Sequence, residues 1–231
     1  METKTEVIGK TRLLDALIAI VVLGSLWGLV EVVLGSALQA SGLPFRAGIL
    51  TGLGIGLLAV AVGALRKPAM LVLIPPIAVL CKQLVVPILN VSVMCKANSC
   101  LALMIEGLAV AGVVYLVGRR LDRSRLVQMA SGASGALLAA GAFYFAGMWL
   151  APCKYLLSFN SPAGFVNFML VEGLVWTVFA AAFFPVGHWV GARLRDTVLA
   201  QESKPWLYYA TSAALVAGSW TASAVAIATG F

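Results

Sequence analysis

Charge is scarce in this sequence. Only 11% of its 231 residues are Asp, Glu, Lys or Arg, where soluble domains carry about 25%. That excludes an ordinary water-soluble globular domain. Histidine is scarcer: His188 stands alone, so multi-histidine metal and haem sites are excluded. No Walker A run occurs, which excludes ATP hydrolysis through a P-loop. No C-x-x-C pair occurs either, the usual mark of thiol exchange. Alternating strand-like segments of about 10 residues, which a transmembrane β-barrel would need, are also missing.

Apolar residues are abundant. They make up 61% of the chain, and the mean hydropathy is +1.00. Apolar runs of about 20 residues, the length of a bilayer-spanning helix, recur throughout. The fold class is an all-α integral membrane protein. Seven helices are expected, at 13–35, 46–65, 69–91, 100–118, 127–150, 163–192 and 206–229. The division is a cytoplasmic amino terminus (1–12), a six-helix core (13–195), a cytoplasmic linker (196–205) and a seventh helix (206–231). The first apolar run is too long for a cleaved signal peptide and reads as a retained helix. Pro68 suits a first helical turn. Pro75-Pro76 should kink the third helix and Pro185 should bend the sixth. The seventh, after QESKP, reads as the least polar inside.

Basic residues orient the chain. Twelve fall on one side of the spans: Lys4, Lys10, Arg12, Arg66, Lys67, Arg119, Arg120, Arg123, Arg125, Arg193, Arg195 and Lys204. The other side receives four: Arg46, Lys82, Lys96 and Lys154. The rich side reads as cytoplasmic, in a bacterial or archaeal inner membrane, with the amino terminus inside and the carboxyl terminus outside. The net charge of +7 is explained by this asymmetry, and no nucleic-acid partner is implied. His188 falls at the inner side, which leaves no catalytic triad to build.

Three carboxylates interrupt apolar runs: Glu31 in LWGLVEVVLG, Glu106 in LALMIEGLAV and Glu172 in FMLVEGLVWT. A charge inside a span costs about 2.5–3.5 kcal/mol on insertion scales, so such residues face a bundle interior and mark function. Their competing role is to bond a neighbouring hydroxyl and fix helix packing. Glu31, Lys82, Glu106 and Glu172 are expected to form one polar cluster under an outward mouth, ringed by Arg46, Lys96 and Lys154. Glu106-Gly107-Leu108 and Glu172-Gly173-Leu174 share a frame, and the interval from Glu31 to Glu106 nearly equals that from Cys81 to Cys153. Both hint at two similar halves, a common transporter plan.

All four cysteines, Cys81, Cys95, Cys100 and Cys153, fall toward the outer side, and three precede a lysine. That side is oxidising, so structural disulfides come first. Metal or cofactor ligation comes second. Intervals of 13, 4 and 52 residues match no tight-pair signature, but one thiolate, favoured by its lysine, could ligate a metal-bearing small molecule. Thiol–disulfide exchange comes third. Gly24/Gly28, Gly52/Gly56 and Gly132/Gly135/Gly141 read as close helix contacts. The tryptophans read mainly as interfacial anchors.

Six core helices, an inside amino terminus and the polar outer segments GSALQASGLPFRAG, NVSVMCKANSC and LAPCKYLLSFNSPAG resemble the substrate-binding S components of energy-coupling factor vitamin transporters. The resemblance covers about residues 10–195 and implies a substrate site near the outer surface. It also implies that small residues of the first helix, here Gly24 and Gly28, contact a membrane coupling partner. In the cobalamin-binding branch a cysteine ligates cobalt, and Cys81 is the position to compare. The seventh helix departs from that six-helix plan. The expected function is a membrane-embedded binding or uptake component for a small anionic or metal-containing solute, without catalytic residues. The rivals are a non-catalytic subunit of a larger membrane complex, joined through the first helix or through Ala213, Ala217, Ala222 and Ala224 of the seventh, and a membrane thiol–disulfide oxidoreductase.

Overall fold

The structure is a computed structural model describing the backbone of residues 4–200 and 205–230, with side chains for 13–195 and 206–230. Seven helical segments are long and apolar enough to cross a membrane: α1 (Leu13–Ala40), α2 (Arg46–Leu65), α3 (Pro68–Leu89), α4 (Val93–Asp122), α5 (Arg125–Leu150), α6 (Gly164–Arg195) and α7 (Trp206–Ala228). The described residues contain no strand. The chain is an all-α integral membrane protein. Its exterior agrees: Leu108, Leu116, Leu138, Phe145, Val178 and Val186 are exposed, an arrangement that water would penalise and lipid does not.

Packing runs in a ring. α1 lies against α2 and α3, α3 against α4, α4 against α5, α5 against α6, and α6 closes onto α2. α2 also touches α4 and α5, so it is the most enclosed span. Glycine permits its closest contact. A Cβ on Gly52 would stand 2.7 Å from the Phe179 Cβ, and one on Gly187 would strike the Gly56 carbonyl oxygen. Small residues four apart let two backbones meet in this way. Gly132 and Gly135 are used similarly against α6 and α4, whereas Gly141 faces open space.

At one end of the bundle Asp122 ties three spans. It meets Arg66 at 3.3 Å and His188 Nε2 at 3.5 Å. Gln128 Nε2 lies 3.2 Å from His188 Nδ1 and donates to the Leu121 carbonyl.

Several boundaries and bends differ from expectation. α1 runs past residue 35 to Ala40, because GSALQA continues as helix. Pro75-Pro76 do not kink a continuous helix. They fill the first turn of an α segment, Ile74–Lys82, that follows a 3-10 stretch, Pro68–Leu73, and a proline costs no hydrogen bond there. The helix runs through Pro185. α6 also carries a π-helical turn at Met169–Gly173, and α1 has another at Val30–Leu34. The linker expected at 196–205 is helical through Ala200, since no breaker occurs before Pro205. Residues 201–204 lie outside the described residues. Helix is also present from Lys4 within the expected amino-terminal segment 1–12, and residues 1–3 lie outside the described ones.

The seventh helix is not apolar inside. Ser212, Ser219 and Ser223 are its buried polar residues. Trp220 Nε1 donates to Ser25 at 2.9 Å, and Tyr208 and Tyr209 donate to Asp15 at 3.0 and 3.2 Å. Its far end joins a small separate core of Val32, Val85, Ala226 and Ile227.

Gly187→Val should lower the unfolding temperature of the detergent-solubilised protein, at a cost of about 3 kcal/mol, since the added group meets backbone. Gly141→Ala should leave it unchanged. Equal effects of the two would contradict the α2–α6 packing.

Candidate functional site

Lys82 and Glu31 form the central polar contact. Lys82 Nζ lies 2.5 Å from Glu31 Oε2, and the two side chains are 12% and 9% exposed. α1 and α3 come close enough for this because Gly24 and Gly28 face α3. A Cβ on Gly24 would stand 2.5 Å from the Ile77 Cβ, and one on Gly28 would stand 2.5 Å from the Cys81 Cβ. Gly24 and Gly28 are therefore consumed inside the chain. They do not present the bare surface toward a coupling partner that the resemblance implied. Glu31 sits in the π-helical turn, where one extra residue changes the phase of the side chains around it. Such turns often occur at functional positions.

The pair stands on the wall of a cavity of ≈ 430 Å³ between the ends of α1, α2, α3, α4 and α7. Arg46 and Lys96 line it, with Ser36, Gln39 and Ser99 as neutral hydrogen-bonding groups. Val32, Leu50, Val85, Leu89 and Ile227 complete the lining. Glu31 is already answered by Lys82, which leaves the formal positive charge of Arg46 and Lys96. Arg46 opens α2 directly after Phe45, whose φ of 66° is left-handed. A bulky residue there is a genuine outlier, costing about 1–2 kcal/mol. That strain sits at the rim of the cavity, as strain often does at functional sites. A second cavity, ≈ 460 Å³, lies beside Arg125, Gln128, His188 and Trp189. Arg125 is the one formally cationic residue in its lining.

The expected single cluster of Glu31, Lys82, Glu106 and Glu172 is three separate arrangements. Glu31 and Lys82 share the cavity with Arg46 and Lys96. Glu106 does not line it. The residue is 4% exposed, and its carboxyl accepts a hydrogen bond from Thr51 Oγ1 at 2.9 Å. Glu172 lies in the π-helical turn of α6 and accepts from Tyr155 OH and from Trp176 Nε1 at 3.2 Å. Tyr155 belongs to the connection between α5 and α6. Burial, then Glu172, raises the pKa of its phenol, while Arg46 opposes the shift. The phenol is therefore protonated at neutral pH. Its contribution to stability is full below the ordinary phenol range, near 10, and falls as pH rises through and beyond it. Lys154 is exposed on the same connection and is not part of the cavity lining.

All four cysteines are free thiols, so no disulfide staples the connections. Cys81 is fully buried and donates to Ser223 Oγ at 3.4 Å. It turns toward α1 and α7 while Lys82 turns to Glu31. Cys100 is buried and accepts from Gln83 Nε2 at 3.4 Å. Cys153 accepts from the Leu156 N–H at 3.5 Å and caps a short helix, Lys154–Leu157. Cys95 is exposed. Among the described residues no three His, Cys, Asp or Glu side chains gather as metal ligands. Cys81, fully buried against Gly28 and Ser223, lines neither cavity.

Sequence reasoning missed Ser36, Gln39, Ser99, Thr51 and Tyr155. Ser36 and Gln39 follow Glu31 by five and eight residues on the same helix, a continuity that an end of the first helix at residue 35 hides. Thr51 is one hydroxyl in an apolar helix and carries no local signal.

Compared with known proteins, the chain matches no family model, no characterised protein and no solved structure.

Lys82→Met alone should destabilise the protein by about 3 kcal/mol, because it leaves the Glu31 carboxylate with no cation partner in a largely buried place. The double variant Lys82→Met, Glu31→Gln should recover most of that loss in thermal unfolding. Additive losses would show that the two side chains act separately.

Proposed function

We propose that this protein is a membrane-embedded binding or uptake component for a small anionic solute. One observation carries the reading: Arg46 and Lys96 line the cavity beside a Lys82–Glu31 pair that is already neutral. Surplus positive charge in a concave, partly apolar site favours an anion with a compact polar end. Arg46 supplies a planar fork suited to carboxylate, phosphate or sulfate, and Lys96 supplies a mobile point charge. Ser36, Gln39 and Ser99 would complete the hydrogen bonding. The charge asymmetry of the spans supports a cavity on the outer side of the membrane, with the amino terminus inside.

The likeness to vitamin S components rests on six core helices, an inside amino terminus and polar outer segments, and it supports a binding role without naming a vitamin. Assembly with other subunits would use a surface other than Gly24 and Gly28. The face of α7 that exposes Ala213, Ala217 and Ala222 is the available small-residue surface. Thiol exchange has less support, because Cys81, Cys100 and Cys153 each serve a separate local hydrogen bond.

Calorimetry in lipid nanodiscs with sulfate, inorganic phosphate and succinate tests the reading. At least one should bind, more weakly as salt rises. Arg46→Ala and Lys96→Ala should each weaken binding by about tenfold or more, the range for a charged hydrogen bond. No binding by any of the three, or binding unaffected by both substitutions, would sink it.

Orientation has its own check. A membrane-impermeant maleimide added to intact cells should label Cys95, and Cys95→Ser should abolish that signal. Labelling only after the cells are opened would reverse the topology.

A further inference from the structure

We propose that Glu106, held by Thr51, is a proton-binding site inside the bundle, and that its proton occupancy is linked to the Lys82–Glu31 pair on the cavity wall. Glu106 as a whole is 4% exposed. Thr51 Oγ1 donates to one oxygen at 2.9 Å, and Thr51 is itself buried. The other oxygen, Oε2, is buried without a hydrogen-bond partner among the described residues. An ionised carboxylate has room for about four donors. One hydroxyl falls far short of replacing the water that such a charge gives up, and an isolated buried carboxylate neutralises instead. A neutral carboxyl leaves at most one hydroxyl without an acceptor, which is a much smaller cost.

Among the described residues Lys82 is the one cation that acts on Glu106, and it is already engaged. Lys82 is bound to Glu31 at 2.5 Å. The charged groups that act on Glu106 are Glu31 from α1 and Lys82 from α3. α2 contributes only Thr51, and no charged group of α5 acts on it among the described residues. Among the described residues no three His, Cys, Asp or Glu side chains gather there. Gly107, the next residue, packs directly on Pro75 of α3. The carboxyl is thereby kept at the level where α2, α3 and α4 meet.

The proton and the cavity then influence each other. Negative charge placed beside Lys82 makes the Glu106 proton harder to lose. Loss of the Glu31 charge makes it easier to lose. Linkage is reciprocal, so a protonated Glu106 favours a negative occupant in the cavity. This last step rests on the anion-binding reading, whereas the proton site does not.

Infrared difference spectroscopy across a pH series, on protein in lipid, reads the carboxyl C=O stretch directly. Wild type should show the band of a protonated carboxyl at neutral pH. The band should vanish in Glu106→Gln, persist in Glu31→Gln, and change frequency in Thr51→Val as the donating hydroxyl is removed. The pH at which it disappears should fall in Glu31→Gln and rise in Lys82→Met. A wild-type protein without the band, or a band that survives Glu106→Gln, overturns the proton site. If Glu106→Gln does not accumulate in the membrane, Thr51→Val decides, and an unmoved band overturns the assignment. Identical pH behaviour of wild type, Glu31→Gln and Lys82→Met overturns the linkage. An intact Glu106 band in a protein that binds none of sulfate, phosphate and succinate upholds the proton site and removes only the reading of the cavity.

Discussion

A charge carried into an apolar bundle has to be answered within reach of its own side chain, because the lipid around the bundle cannot answer it. Lys82 and Glu31 answer each other at 2.5 Å, and much of this structure follows from bringing them together. Their helices must approach closely, which Gly24 and Gly28 allow by offering no side chain to α3. Glu31 must also point inward at the right height, where the π-helical turn Val30–Leu34 alters the phase of α1. Once paired, the two groups form a polar wall that costs little to keep and that leaves Arg46 and Lys96 as the surplus charge of the cavity.

The other two intramembrane carboxylates use different solutions. Glu172 recruits a phenol and an indole, both neutral donors, and sits in the second π-helical turn. Glu106 receives one hydroxyl and no cation. These solutions depend on α2, which is pinned to α6 by backbone contact at Gly56 and Gly187 and so presents Thr51 in a fixed place. One side of the cavity is built on the enclosed α2, and the other lies where α7 meets α1 through serines and a few apolar residues.

The repeated Cys-Lys doublet turns out to have no joint role. Adjacent residues on a helix do not share a face. Cys81 turns to Ser223 while Lys82 turns to Glu31. Cys153 caps a helical turn whose first residue is the exposed Lys154. Cys95 is exposed, while Lys96 reaches the cavity. The pattern is real in the sequence, yet each member of it obeys its own surroundings.

Membrane class and the count of seven spans were legible from the sequence alone, because both rest on local quantities: the length of an apolar run, and the charges or prolines that punctuate it. The intramembrane glutamates were legible for the same reason, since each is an anomaly within its own helix. Grouping them was not. Whether Glu106 meets Lys82 or Thr51, and whether Glu172 enters the cavity or turns to Tyr155, depends on which faces of distant helices come into register. Gln39 and Ser36 were lost through a helix end placed a turn or more too early, and the two π-helical turns carry no local mark. The sequence by itself determined a seven-span apolar chain with three costly carboxylates. Only the tertiary structure decided which of them is neutralised by a cation, which by neutral donors, and which is left with one hydroxyl, because a buried charge takes its partner from whatever the packing of other helices sets beside it.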